Sequence, residues 1–380
     1  MSHPELIMVE HFQGIADYRE NHNKKHLLID IIVMGICCVI CGANGFVEIK
    51  TIADGKADWF RTFLTLSHGI PSHDTFNRVF ARINPQELQA CFRSWVAAQF
   101  PQLTPGHIAV DGKELSHSQD VANDFANLRL ISAWSVTHGI VLGQEVVADD
   151  SNEITAVPAL LKAIDITNCH FTADALHCQV NLTEILTKKQ SGFTIGVKAN
   201  QKSLYEYVQA ILSTQKETGS HQLQTYTTTE KDHGRIDIRK YSFTTDIHHL
   251  IADTPWHCVQ GVGMVESERW IGNACERETR YYIHRGDPTV RAFANYVRGH
   301  WSIENQLHWR LDVIFNEDGA HVRVNNAPEN LAIIRHIAMN LLVNERTLKV
   351  GTQAKRLRAA SDNVYLEKVI RTPFSKVTSN

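Results

Sequence analysis

Apolar residues fall into three successive rhythms along this chain. Up to about residue 102 they recur at helical spacing, first as an almost unbroken run over 27–41, then as shorter sets at 76–80 and 88–100. Between the first run and these sets lies GIPSHDTFNRVF at 69–80, where Ser72 or Asp74 offers an oxygen to the first free amides of a helix. After LTPG at 103–106 the runs shorten to strand length, at 107–114, 129–136 and 140–148, the last two joined by a glycine-containing turn of hairpin type at 137–139. Helical and short apolar segments then alternate: helix 154–164, strand 171–175, helix 179–189, strand 193–199, helix 203–212. Such an order predicts an α/β class protein with a mixed sheet flanked by helices. From 221 to 285 the period returns to two, through QLQTYTTT, RIDIRKYSFTT, WHCVQGVGMVES and TRYYIHR, which predicts an inserted set of antiparallel strands. Helical patterns resume at 290–315 and again at 325–344.

With 380 residues, 43% of them hydrophobic, the chain has enough apolar material for two or three domains. The pattern divides it into an N-terminal helical domain over 1–104, an α/β domain over 105–345 with the β insertion at about 216–287, and a tail over 346–380. The eight cysteines lie mostly in apolar segments and no secretory leader is evident, so free thiols in a reducing cytoplasm are expected. Cys38 and Cys41 form a C-x-x-C without a second pair or histidines at zinc spacing, and are read as small core residues. The run that holds them is interrupted by Asp30 and is a little short to span a bilayer, so a buried helix is expected and no membrane partner. The net charge of −3 argues only weakly against a nucleic-acid partner, because local patches matter more than the sum. Arg78 and Arg82 recur four residues apart, and residues 345–380 carry eight Lys or Arg against three acids. Arg78 and Arg82 read first as helix surface charge, with a phosphate-contacting stripe as the alternative; the tail is explained as well by a solvated helix face as by contacts to DNA.

Three acids stand out in apolar surroundings. Asp111 follows Ile108, Ala109 and Val110 at what reads as the end of a buried strand, and Gly112 lets the backbone turn close to a ligand. Asp174 holds the same place in FTADA. A carboxylate there carries a desolvation cost that a cation, a hydrogen-bond cage or a metal must offset. Glu304 lies in a helical pattern in which His300, Glu304, His308 and Leu311 fall on one face at spacings of four, four and three. Taken singly, a strand-end Asp is as often a helix cap or half of an ion pair; three acids on separate elements are what a divalent-metal site for phosphoryl transfer requires. Asn152 and Glu153 read as a helix start, as do Asn200 and Gln201, while Trp301 and Trp309 read as core.

The segments DYRE at 17–20, GIPSHDTF at 69–76, VDGKEL at 110–115, SNEITAVPALL at 151–161, TADALHCQ at 172–179, VKANQ at 197–201, HGRIDIR at 233–239 and HWSIENQLHWRLDVIFNED at 300–318 run in one order over nearly the whole chain. In them the chain resembles insertion-sequence transposases of the DDE superfamily, specifically the H-repeat-associated, Rhs-linked group of the ISAs-one type. The resemblance implies a ribonuclease-H-like core and an enzyme that cleaves double-stranded DNA at insertion-sequence ends and transfers the strand to target DNA. It implies Asp111, Asp174 and Glu304 as catalytic and metal-binding acids, holding Mg²⁺ or Mn²⁺, as two ions. A homodimer on paired ends and a bacterial cytoplasm, at the nucleoid when on DNA, are implied as well. Related DDE transposases carry Tyr, Arg and Lys around the glutamate, and here the match is partial: His300 takes the Arg position, Val297 the Tyr position beside Tyr296, and Leu311 the Lys position beside Arg310. Arg298, His300, His308 and Arg310 are therefore all candidates to grip phosphate, with His300 and His308 equally explained as core-edge histidines. Lys113 and Lys198 either contact DNA or balance nearby acids, and His233 and Arg235 either grip DNA or form a surface turn. The alternatives to an active transposase are an inactive relative that keeps DNA binding and a hydrolytic metal-dependent nuclease.

Overall fold

The computed structural model describes residues 7–20, 24–99, 106–119, 126–148, 152–232, 234–248 and 254–372. The domain boundary expected near residue 104, together with His233 and Lys376, lies outside them. The first apolar run forms helix Leu28–Ile40, buried from Asp30 onward. A helix apolar on all sides needs cover on all sides, and it packs against helix Ala327–Asn344, of which almost every residue is buried. Cys37, Cys38 and Cys41 are buried free thiols there, as the core reading requires. No helix among the described residues is long and apolar enough to cross a membrane. Ser72 accepts from the Thr75 amide at 3.2 Å and starts helix His73–Phe80.

The strands are β1 His107–Glu114, β2 Arg129–Ser135, β3 Ile140–Val146, β4 His170–Ala173, β5 Gly192–Val197, β6 Gln224–Asp232, β7 Arg235–Thr244, β8 Gly261–Ile271 and β9 Ala274–Arg285. They form one sheet in the order β3-β2-β1-β4-β5-β9-β8-β7-β6. β1, β4 and β5 run parallel, with helices Glu153–Ala163 and Val180–Lys188 in the connections; the other neighbours are antiparallel. The period-two region does not fold into a layer of its own. β9 pairs with β5 from Phe193 opposite Arg285 to Val197 opposite Tyr281, so the inserted strands continue the sheet. Only their near half is core: in β8 residues 261–265 are buried, whereas most of the far half of β8 and β9 faces solvent.

The chain returns through helix Val290–His300, started by the Thr289 hydroxyl, which accepts from the Ala292 amide at 3.3 Å. At least part of the basic tail is structural. Lys355 is buried and donates to the Leu342 carbonyl at 2.8 Å, and the buried Arg356 donates to the Val39 carbonyl at 3.0 Å. These two cations serve orphan helix-end carbonyls and are unavailable to an outside anion.

Candidate active site

β1 and β4 pair only from His107 with His170 to Ala109 with Thr172. Beyond that pair β1 is held on its β2 side alone, which carries it on to Glu114, with Asp111 opposite Ser132. Asp111 thus lies within a strand rather than at its end: the β2 pairing extends β1 after the β4 pairing has stopped. Asp174 directly follows β4, and its Oδ1 accepts from the Leu176 amide at 3.0 Å to start the short turn Ala175–His177. Asp111, Asp174 and Glu304 line one cavity of about 430 Å³, with Lys198, Arg280 and Trp301 also on its wall.

The helix expected to carry Glu304 without interruption changes winding at the site. Val290–His300 ends at Trp301, and Ile303–His308 forms a π-helical turn in which the Trp309 amide bonds to the Glu304 carbonyl, five residues back. Such turns are rare and frequent at functional sites. Ile303, Leu307 and Leu311 are buried, while Trp301 and Trp309 are 37% and 53% exposed. The two tryptophans are therefore surface residues and not core, since the apolar set spaced by four already fills the inner face. Arg280 lies over the Trp301 ring, 4.6 Å from its centroid.

His308 is brought between two of the acids, its Nδ1 3.8 Å from Asp111 Oδ2 and 3.6 Å from Glu304 Oε2. One ligand-type atom from each of the three lies within 4.8 Å of the others. Burial pushes the Asp111 carboxyl up to about 7; His308 opposes the shift, and Glu304 and Asp174 add to it. The adjacent His308 ring holds Glu304 below its usual value. Among the described residues no lysine or arginine forms an ion pair with Asp111, Asp174 or Glu304. Hard oxygen donors crowded together without a cation fit a divalent ion chemically.

Other candidates are spread more widely. His300 lines the same cavity, but its Nδ1 lies 3.2 Å from the Thr172 hydroxyl rather than against an acid. Lys113 does not face outward to meet phosphate. Its ammonium bonds to Asp312 and, at 2.9 Å, to the buried Glu317, so it balances acids. Arg298 is held by Glu230 through Nε at 3.1 Å and Nη2 at 3.0 Å. Arg235 pairs with Asp237, which Arg239 and Arg269 also flank. These four arginines line a second groove of about 470 Å³, which shares Arg280, Tyr282 and Trp301 with the first cavity. Arg310 is half-buried, and burial pulls its guanidinium below the ordinary value. Lys198 is exposed at the cavity wall.

Two residues beside the site go beyond what their local sequence signals. Asn152 caps its helix, accepting from the Ile154 amide at 3.1 Å, as its position predicts. Glu153, however, lays its carboxylate over Gly112: a Cβ at 112 would come within 2.7 Å of Glu153 Oε1. His177 sits on the Asp174 turn, 3.7 Å from Glu153 and 3.8 Å from Asp174. Asn200 and Gln201 bind that turn, donating to the Ala175 and Cys178 carbonyls at 2.8 and 3.0 Å.

Comparison with known proteins matches residues 9–96 to the family described as DDE_Tnp_1-associated and residues 102–341 to the family described as Transposase DDE domain. Among similar proteins of Escherichia coli (strain K12) are two named "H repeat-associated putative transposase", YhhI and YbfD. The first is 35% identical over 376 residues, 96% of this chain and 97% of its own length. The second is 33% identical over 248 residues, 65% of this chain and 94% of its own length. Among solved structures, a piggyBac transposase synaptic complex with hairpin DNA aligns over 99% of this chain and 81% of its own, at 11% identity and a TM-score of 0.40.

Proposed function

The chain belongs to the family of transposases that carry the transposase DDE domain, and from that premise we propose that it cleaves DNA at insertion-sequence ends and joins the freed 3′-hydroxyl to target DNA. The observation that carries this is the convergence of Asp111, Asp174 and Glu304 on one cavity. The strand, hairpin and two parallel strands of β1 to β5 support a ribonuclease-H-like core. A division near residue 104 is supported by the two family matches, which leave only a few residues between them.

Asp111, Asp174 and Glu304 would hold two divalent ions, Mg²⁺ or Mn²⁺. When bound, these ions activate the attacking water or 3′-hydroxyl and stabilise the leaving oxygen. The protein's own cations then have a separate task. Lys198 and Arg280 on the cavity wall orient the phosphate that the acids would otherwise repel, and the arginine-lined groove beside it suits the flanking duplex.

The direct test is Mg²⁺-dependent cleavage and joining of a labelled fragment bearing the element's own ends. Joined products are expected; binding without cleavage would mean a degenerate relative, and cleavage without joining a hydrolytic nuclease. A pH dependence follows from the site. Asp111 must be ionised to bind a cation, and without one its carboxyl titrates at about 7. Mn²⁺ affinity of the DNA-free protein is therefore expected to fall as pH drops from 8 to 6, with proton release on binding near pH 7. Calorimetry in buffers of different ionisation heat measures both, and a pH-independent affinity would remove Asp111 from the ligand set.

A further inference from the structure

We propose that His300, on the cavity wall, meets the phosphate of bound DNA as an uncharged donor through Nε2–H, and that Thr172 and His107 are the positioning residues that keep its proton there; this rests on the DNA-cleavage reading above. The Thr172 hydroxyl stands between two imidazoles, 2.8 Å from His107 Nε2 and 3.2 Å from His300 Nδ1. Among the described residues it has no third partner. A hydroxyl has one proton to give. It therefore donates to one ring and accepts from the other, and the tautomers of the two histidines are tied together.

Two arrangements satisfy the three groups. In one, His300 gives its Nδ1 proton to Thr172 and leaves Nε2 bare. In the other, His107 Nε2–H donates to Thr172, Thr172 donates to His300 Nδ1, and the His300 proton stays on Nε2. A phosphodiester is ionised and only accepts, so DNA at Nε2 selects the second arrangement.

The fold ties this chain of groups to the acids. Thr172 is buried on β4, two residues before Asp174, and His107 opens β1, four residues before Asp111. Thr172 and His300 line the same cavity as the three acids. Helix Val290–His300 closes directly on His107: a Cβ at Gly299 would lie 2.7 Å from the His107 ring, and the Tyr296 ring meets it edge-on with centroids 5.3 Å apart. Burial pulls His107 down to about 3 and His300 down to about 4, so each keeps one bare nitrogen at neutral pH. An uncharged donor can also stand beside the acids without repelling the ions they would hold.

The test is Mg²⁺-dependent cleavage of the labelled fragment by the full chain, beside Mn²⁺ titration and ¹⁵N-histidine spectra of the metal-free DNA complex. His300→Phe should lower the cleavage rate about a hundredfold, a usual loss when one preorganised donor is removed, without weakening Mn²⁺ binding. Thr172→Val keeps the shape and removes the hydroxyl; it should lower the rate roughly tenfold, about the effect of one hydrogen bond. Thr172→Ser, which restores the hydroxyl without the methyl group, should recover most of that loss. In the His300→Phe background Thr172→Val should cost little more, because it acts through that ring. In the spectra, the imidazole that His300→Phe removes should carry its proton on Nε2, and this readout decides the matter if Thr172→Val fails to fold. A proton on Nδ1, a loss that Thr172→Ser does not recover, or a cost of Thr172→Val that is the same with and without the imidazole would overturn the assignment and leave the transposase reading standing. Wild type that binds the fragment and never cleaves it would remove both.

Discussion

Asp111→Asn is expected to lower the rate of DNA cleavage roughly a thousandfold or more, which corresponds to about 4 kcal/mol of lost transition-state stabilisation, and at the same time to make the metal-free protein more stable at pH 8. The two effects share one cause. The Asp111 carboxyl is pushed up to about 7 from its ordinary 3.8 by burial and by the neighbouring acids. Below about pH 4 native and unfolded chains both hold that proton. Between there and 7 the unfolded chain releases it first, so its contribution to native stability falls as pH rises; above 7 the full penalty remains. Asparagine carries no such penalty, and the stability gain should grow from pH 5 to pH 8. Glu304→Gln should lose activity to a similar extent with the opposite sign in stability. His308 holds that carboxyl below its usual value, so the native state gains from its charge above the normal carboxylate range and loses the gain in acid. Thermal melts at the two pH values, beside a cleavage assay, separate the variants. If Asp111→Asn melted at the wild-type temperature at pH 8, the proposed crowding of acids would be wrong; if it still cleaved, Asp111 would leave the site.

The period of the apolar pattern announced the strands and most of the helices, because β1 to β5 are short, largely buried apolar runs and their connections have clear helical spacing. What it could not announce was pairing. Whether 221–285 forms its own layer or extends the sheet depends on which residues β9 meets, and the answer lies in the distant residues 193–197. The same limit explains the site. Asp111, Asp174 and Glu304 are visible as acids in apolar context, and the cavity they share is consistent with that. His300 and His308 stand equally four residues from Glu304, and spacing alone gave no reason to choose between them. The π-helical turn does so, by directing His308 toward Asp111 while His300 meets Thr172. Glu153 starts its helix as its position predicts, yet its approach to Gly112 is a contact between distant segments with no local signature. Trp301 and Trp309 read as core from sequence because large rings are usually buried, but the inner face is already filled by residues spaced four apart.

Lys113→Met is expected to destabilise the protein by about 3 to 5 kcal/mol, the usual range for removing one partner of a buried ion pair. Glu317 is 3% exposed, and burial alone would raise its carboxyl; Lys113, Arg335 and His336 hold it below the ordinary range instead. Arg335 remains at 3.5 Å from Glu317 after the substitution, but Asp312, itself bonded to Lys113, has no other lysine or arginine in ion-pair reach among the described residues. Two carboxylates then face each other across the vacated space, and the deficit should shrink as pH falls and one of them takes up a proton. Adding Glu317→Gln should recover part of the loss, a non-additivity that a double-mutant cycle measures. The consequence for activity follows from where the pair sits. Lys113 is two residues past Asp111 on β1, and Asp312 and Glu317 follow the turn that carries Glu304, so this pair ties the two acids of the cluster to each other. A Lys113 that instead gripped DNA would behave differently: the variant would melt like wild type and bind DNA more weakly, with a shallower dependence on salt.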